Sequence, residues 1–154
     1  MKYYIFCICL MIALACKPEP LTPTCNRIEF NPDLESVRLN PQNVYQYLMD
    51  IGVKYADIVL RQSFLETGWY TSHNCLERNN LFGMKGGKKT EDNPNGYATY
   101  ENWHQSIRAY KTWQRHKYGD SDTNYYDFLE SSGYAESPTY IEKLKSFKII
   151  IVRR

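Results

Sequence analysis

The chain has 154 residues, of which 43% are hydrophobic and 23% charged, with a formal net charge of +2. That length supports one globular core, and the near-balanced charge excludes a nucleic-acid binder with a strongly basic face as well as an acidic disordered tail. Fourteen tyrosines and three tryptophans supply more flat amphipathic surface than a minimal core requires.

The first fifteen residues carry one charge, Lys2, and then run apolar through Ile5, Phe6, Ile8, Leu10, Ile12 and Leu14. The run is too short to span a bilayer and has the form of a secretory signal, residues 1–15. Small residues Ala13 and Ala15 precede Cys16, and the chain then turns polar and proline-rich. This pattern is similar to a bacterial lipoprotein signal, which implies that Cys16 is lipidated and that residues 16–39 form a tether. The expected location is exported and membrane-anchored, periplasmic or at the cell surface. Cys25 and Cys75 would then remain in the mature protein, either paired or as separate thiols.

A domain is expected over residues 40–154. Asn40 and Pro41 form a cap and first-position pair for a helix ending at Gly52, and a second helix is expected from about Lys54 to Thr67 with Gly68 as its stop. From Leu81 to Tyr100 the pattern changes. Phe82 and Met84 alternate with small residues, and Gly86, Gly87 and the Pro94-Asn95-Gly96 turn predict a small β-hairpin or an irregular lobe. Helical spacing returns with Trp103, Ile107, Tyr110 and Trp113, ending before Gly119. A short helix follows around Tyr125 to Ser132, and a last one is expected with Ser137 as cap and Pro138 as first residue. The histidines His73, His104 and His116 are scattered, so neither metal nor cofactor is expected.

The run from Gln62 to Trp69, QSFLETGW, puts one carboxylate, Glu66, in the last turn of an apolar-faced helix. The negative end of the helix and packing against Trp69 would both disfavour its ionised form. A carboxyl so perturbed suits a general acid, such as the one that protonates a leaving oxygen in glycoside cleavage.

Four stretches in order, QSFLETGW (62–69), NNLFGMKG (79–86), YATYENWHQSIRAY (97–110) and GYAESPTYIEKL (133–144), resemble the glucosaminidase family of bacterial cell-wall hydrolases, glycoside hydrolase family 73. The resemblance covers about Asn40 to Phe147. It implies an α+β, mostly helical, lysozyme-like fold with a small β-hairpin lobe, and a monomer acting on peptidoglycan strands without a cofactor. It also implies Glu66 as general acid and Tyr134 as a catalytic groove tyrosine. Some members carry a second acid in the β lobe, for which Glu91 and Asp92 are candidates. The alternative is assistance by the substrate's own N-acetyl group, without a second carboxylate. Asn79, Asn80, Trp69, Tyr97 and Tyr100 are candidate substrate-binding residues, whereas Leu81, Phe82 and Trp103 read as core. A non-catalytic wall-binding lipoprotein, and muramidase or lytic transglycosylase chemistry in the same groove, are the competing functions.

Overall fold

A computed structural model describes residues 38–134 and 137–148. Backbone proximity divides the chain into two units, Met1–Asn31 and Pro32–Arg154. The expected signal, Cys16 and Cys25 lie outside the described residues.

The described part is mostly helical, with helices α1 (Pro41–Asp50), α2 (Ala56–Thr67), α3 (His73–Arg78), α4 (Trp103–Lys117), α5 (Tyr125–Ser131) and α6 (Tyr140–Ser146). Local chemistry explains most of their starts. The side chain of Asn40 accepts from the Asn43 amide, Ser72 from Cys75, and Asn102 from Gln105, so each caps an otherwise unpaired N–H. The last turn of α4 carries Arg115, His116 and Lys117, which suit its negative end.

Two starts fall later than the sequence predicts. Helix α2 begins at Ala56 rather than Lys54, because Tyr55 stands in the left-handed region at φ of 56° and breaks the helical course there, while the Lys54 amide bonds the side chain of Gln114 at 3.0 Å. Helix α6 begins at Tyr140 rather than Pro138, because Ser137 shares its hydroxyl with Thr139 instead of capping a helix amide.

The core joins Val44 and Leu48 of α1, Val59, Leu60 and Phe64 of α2, Ile107 and Tyr110 of α4, Leu129 of α5 and Leu144 of α6. Helix α1 packs on α2, and α6 packs on α2 and α5. Leu81, Phe82 and Trp103 are buried in this core. Each large apolar side chain withdrawn from water contributes about 1.5–3 kcal/mol before chain entropy is counted.

The expected β-hairpin is not formed. Among the described residues the segment after Leu81 makes two isolated antiparallel bridges, Lys85 with Tyr97 and Thr90 with Asn93, and no strand. The buried side chain of Asn93 organises it instead, accepting from the Tyr97 amide at 2.9 Å and donating to the carbonyls of Tyr97 at 2.9 Å and Lys88 at 3.2 Å. Gly87 lies so close to the returning chain that a Cβ there would stand 1.9 Å from the Tyr97 carbonyl oxygen. A side-chain hub and one close approach thus take the place of a ladder, so the α+β expectation reduces to a helical domain with a looped excursion. No helix among the described residues is long and apolar enough to cross a membrane.

Candidate active site

Glu66 lies in the last turn of α2. Beyond it the chain takes a left-handed course through three successive residues, Gly68, Trp69 and Tyr70, at φ of 54°, 61° and 65°. For tryptophan and tyrosine this conformation is strained, and strain of this kind persists only where surrounding contacts impose it. Here the Thr67 hydroxyl accepts from the Tyr70 amide at 2.8 Å, the Trp69 amide bonds the Phe64 carbonyl at 3.0 Å, and the Tyr70 hydroxyl meets that of Ser63 at 3.0 Å.

The two oxygens of Glu66 face different groups. Oε1 accepts a hydrogen bond from the Tyr140 hydroxyl at 3.0 Å. Oε2 lies beside Gly83, where a Cβ would stand 3.2 Å away. Gly83 has φ of +64° and also faces the Tyr97 ring, so a residue without a side chain separates Glu66 from Tyr97. Burial raises the Glu66 carboxyl above its ordinary pKa, and the Tyr140 hydrogen bond opposes part of that rise.

The Trp69 indole stacks on Phe64 at 4.3 Å and meets Phe147 edge-on at 5.5 Å, and it remains 56% exposed. The left-handed turn swings the ring onto Phe64 and leaves Tyr140 and Gly83 against the carboxyl.

Tyr134 is partly buried beside Tyr140, and its hydroxyl donates to the Phe82 carbonyl at 2.9 Å. Burial, then the neighbouring Tyr140 and Glu66, hold its phenol protonated well above the usual range. Tyr134 therefore ties the Asn79–Gly83 segment to the chain ahead of α6. Tyr140 is the phenol bonded to the carboxyl, and sequence reasoning missed it. The signal was its place in the GYAESPTYIEKL stretch, but the expected start at Pro138 put it among ordinary helix residues.

The two asparagines turn toward backbone. Asn80 is buried, donating to the Met84 carbonyl at 2.8 Å and the Ala98 carbonyl at 2.9 Å and accepting from the amides of Met84 at 3.0 Å and Phe82 at 3.4 Å. All its hydrogen-bonding capacity goes to shaping the loop, so it has none left for a ligand. Asn79 ends α3 in the left-handed region and donates to the carbonyls of Tyr100 and Glu101. Tyr97 carries the Lys85 ammonium 3.7 Å from its ring centroid. Tyr100 is half-buried, and its amide bonds the Arg78 carbonyl at 2.9 Å. Glu91 is exposed on the turn between Thr90 and Asn93, next to Asp92, whose carbonyl accepts from Arg78 at 2.6 Å.

Cys75 is buried with its thiol pushed up to about 11 by burial. Among the described residues no cluster of His, Cys, Asp and Glu could hold a metal ion.

A partly buried carboxyl with a raised pKa, held by a neutral phenol beside a glycine that leaves room at its other oxygen, is an arrangement suited to proton donation. The family described as mannosyl-glycoprotein endo-beta-N-acetylglucosaminidase matches residues 42–150. The chain belongs to this glucosaminidase family, and its domain is that of a glycosidase. No individual curated protein and no solved structure matches it significantly.

Proposed function

We propose that this protein is a peptidoglycan hydrolase, an endo-β-N-acetylglucosaminidase that cleaves the β-1,4 bond between N-acetylglucosamine and N-acetylmuramic acid, with Glu66 as general acid. The observation that carries this reading is the environment of Glu66, whose proton affinity is raised by burial and whose Oε2 lies beside Gly83. In the reaction the Glu66 proton passes to the glycosidic oxygen as the bond from that oxygen to the anomeric carbon breaks. The sugar left behind becomes oxocarbenium-like and is then captured by water.

Glu91 has no part in this reading because it stands exposed on a turn. The acetamido oxygen of the substrate stabilises the anomeric carbon instead, and Tyr134 and Tyr140, both held protonated, are the phenols nearest to guide it. Trp69 offers an exposed aromatic face for a sugar ring. The leader over residues 1–15 would direct export, and lipid attachment at Cys16 would hold the domain, as a monomer, within reach of the wall.

Digestion of purified peptidoglycan by the wild type and by Glu66→Gln, with fragments reduced by borohydride and identified by mass, tests the proposal. Fragments from wild type alone, ending in N-acetylglucosaminitol, support it. A muramitol end replaces it with muramidase action, and an anhydro end with lytic transglycosylation. Sedimentation of both proteins with the wall and no fragments replaces it with a binding role.

A further inference from the structure

A run of buried polar side chains leads from Glu66 through the helical core. The Tyr140 hydroxyl, donor to Glu66, accepts from Gln62 Nε2 at 3.3 Å. Gln62 Oε1 accepts from the Tyr110 hydroxyl at 2.6 Å, and the hydroxyls of Tyr110 and Tyr125 lie 2.7 Å apart. Gln114 Nε2 donates to the Tyr125 hydroxyl at 2.8 Å. At its far end Gln114 lies against the Lys54 backbone, whose N–H donates to Oε1 at 3.0 Å and whose carbonyl accepts from Nε2 at 2.8 Å. Gln62, Tyr110 and Tyr125 are fully buried, so these groups satisfy one another.

The run has a fixed direction. A backbone N–H only donates and a carbonyl only accepts, so Lys54 allows the Gln114 amide one orientation. Nε2 then presents a proton to Tyr125, whose oxygen accepts and whose own proton turns to Tyr110. The Tyr110 proton goes to Gln62 Oε1, which turns Gln62 Nε2 toward Tyr140. Tyr140 accepts there and has its single proton left for Glu66. Each step leaves one choice.

We propose that Gln114, by presenting Nε2 and no acceptor to Tyr125, keeps this run pointed toward Glu66 and so makes Tyr140 a permanent donor to Glu66 Oε1, which leaves the transferable proton on Oε2, the oxygen beside Gly83. The proposal rests on the reading of Glu66 as the acid. Gln114, Tyr125, Tyr110 and Gln62 act here as positioning residues that touch no substrate.

Reversal of the run requires a new acceptor at its far end, which Gln114→Glu provides. Its protonated carboxyl can accept from the Lys54 amide, donate to the Lys54 carbonyl and accept from Tyr125, and the protons can then run away from Glu66. Tyr140 becomes an acceptor for a proton on Oε1, a partner the protonated acid lacks in wild type. Gln114→Leu adds no acceptor and leaves the direction as it was. Among the described residues the titratable groups facing Glu66 are Tyr140 of α6 and Tyr134 ahead of it, with Tyr97 beyond Gly83.

The test is a titration of the Glu66 carboxyl carbon by NMR in the full chain without substrate, its resonance assigned by its loss in Glu66→Gln. Gln114→Glu is expected to raise the midpoint by about half a unit to one unit, the effect of an ordinary hydrogen bond, and Gln114→Leu to leave it in place. The double variant Gln114→Glu with Tyr125→Phe keeps any new charge but cuts the run, so its midpoint should fall below that of Gln114→Glu, any rise left over Gln114→Leu being the effect of charge. An unmoved midpoint in Gln114→Glu, or an equal rise in the double variant, overturns the proposal. Should Gln114→Glu fail to fold, Gln62→Glu makes the same demand midway, with Gln62→Glu and Tyr140→Phe combined against Tyr140→Phe as its charge control. A smaller rise on the Tyr140→Phe background supports the proposal, and an equal one overturns it. The titration needs no turnover, so an inactive protein with the expected shifts would overturn the glycosidase reading alone.

Discussion

The hydroxyl of Tyr140 lies 3.0 Å from Oε1 of Glu66, a hydrogen bond that spans 74 positions of the chain and joins α6 to α2. It favours the ionised carboxyl while burial favours the neutral one, and burial is the larger effect. Tyr140→Phe removes the opposing contribution. The Glu66 pKa then rises further, and the alkaline limb of kcat/KM, where the acid loses its proton, moves to higher pH. The Gln62 amide loses its buried acceptor in the same variant, at a cost of about 1–3 kcal/mol in stability. A pH–rate profile with a denaturation curve measures both.

Glu66→Gln should lower turnover by about 10²–10⁴-fold, the contribution of a positioned general acid. The same change should stabilise the protein, in a pH-dependent way. Because the folded-state pKa is raised, the proton on Glu66 contributes stability that is fully present below the unfolded value and is lost as pH rises through the folded one. The variant, which never ionises, should match wild type near pH ~4 and melt at a higher temperature than wild type near pH ~8. Melting curves at the two pH values check this.

Gly83→Ala places a methyl group 3.2 Å from Glu66 Oε2 at a backbone φ of +64°. The conformation alone costs about 1–2 kcal/mol. Activity should fall by more than this loss of stability accounts for, because the methyl group displaces the carboxyl or closes access to Oε2. Turnover measured well below the melting temperature separates the two effects.

Trp69→Ala should raise KM about threefold to tenfold with little change in kcat, as expected when a stacking face of about 1 kcal/mol is removed away from the reacting atoms. A fall in kcat alone would count against a binding role for this ring. Soluble glycan fragments of defined length are the substrate for the measurement.

Glu91→Gln should keep wild-type activity within about twofold, as surface substitutions away from any constrained feature usually do. Activity as low as that of Glu66→Gln would make Glu91 the second acid and end the case for assistance by the acetamido group.

Much of the helical frame was legible in the sequence because it is written locally. Asn40 with Pro41, and Gly68, mark helix ends by their own chemistry, and the apolar spacing of α1 and α4 fixes their buried faces. What sequence could not give depends on partners remote along the chain. Gln114 binds the Lys54 backbone ahead of α2 from 60 positions away, and Asn93 closes through side-chain bonds a segment whose glycines and turn residues read as a hairpin. The site divides in the same way. Glu66 stood out through its neighbours in one helix, whereas Tyr140, Gly83 and the inward run to Gln114 become neighbours only on folding. The stacking of the Trp69 indole on Phe64 likewise depends on the left-handed turn through Gly68, Trp69 and Tyr70, which the sequence does not announce.

The closure of the excursion by Asn93 has a bearing on life at a crowded surface. A free-standing hairpin carries rows of unpaired amides and carbonyls on its outer edges, which a second chain can extend into a shared sheet. Here the segment that brings Tyr97 to Gly83 is braced by one amide side chain and, among the described residues, presents no strand for another copy to join. Copies that meet at high local concentration are the case in which such an edge matters. A brace of this kind holds the tyrosine in place while giving its neighbours no edge to zip onto.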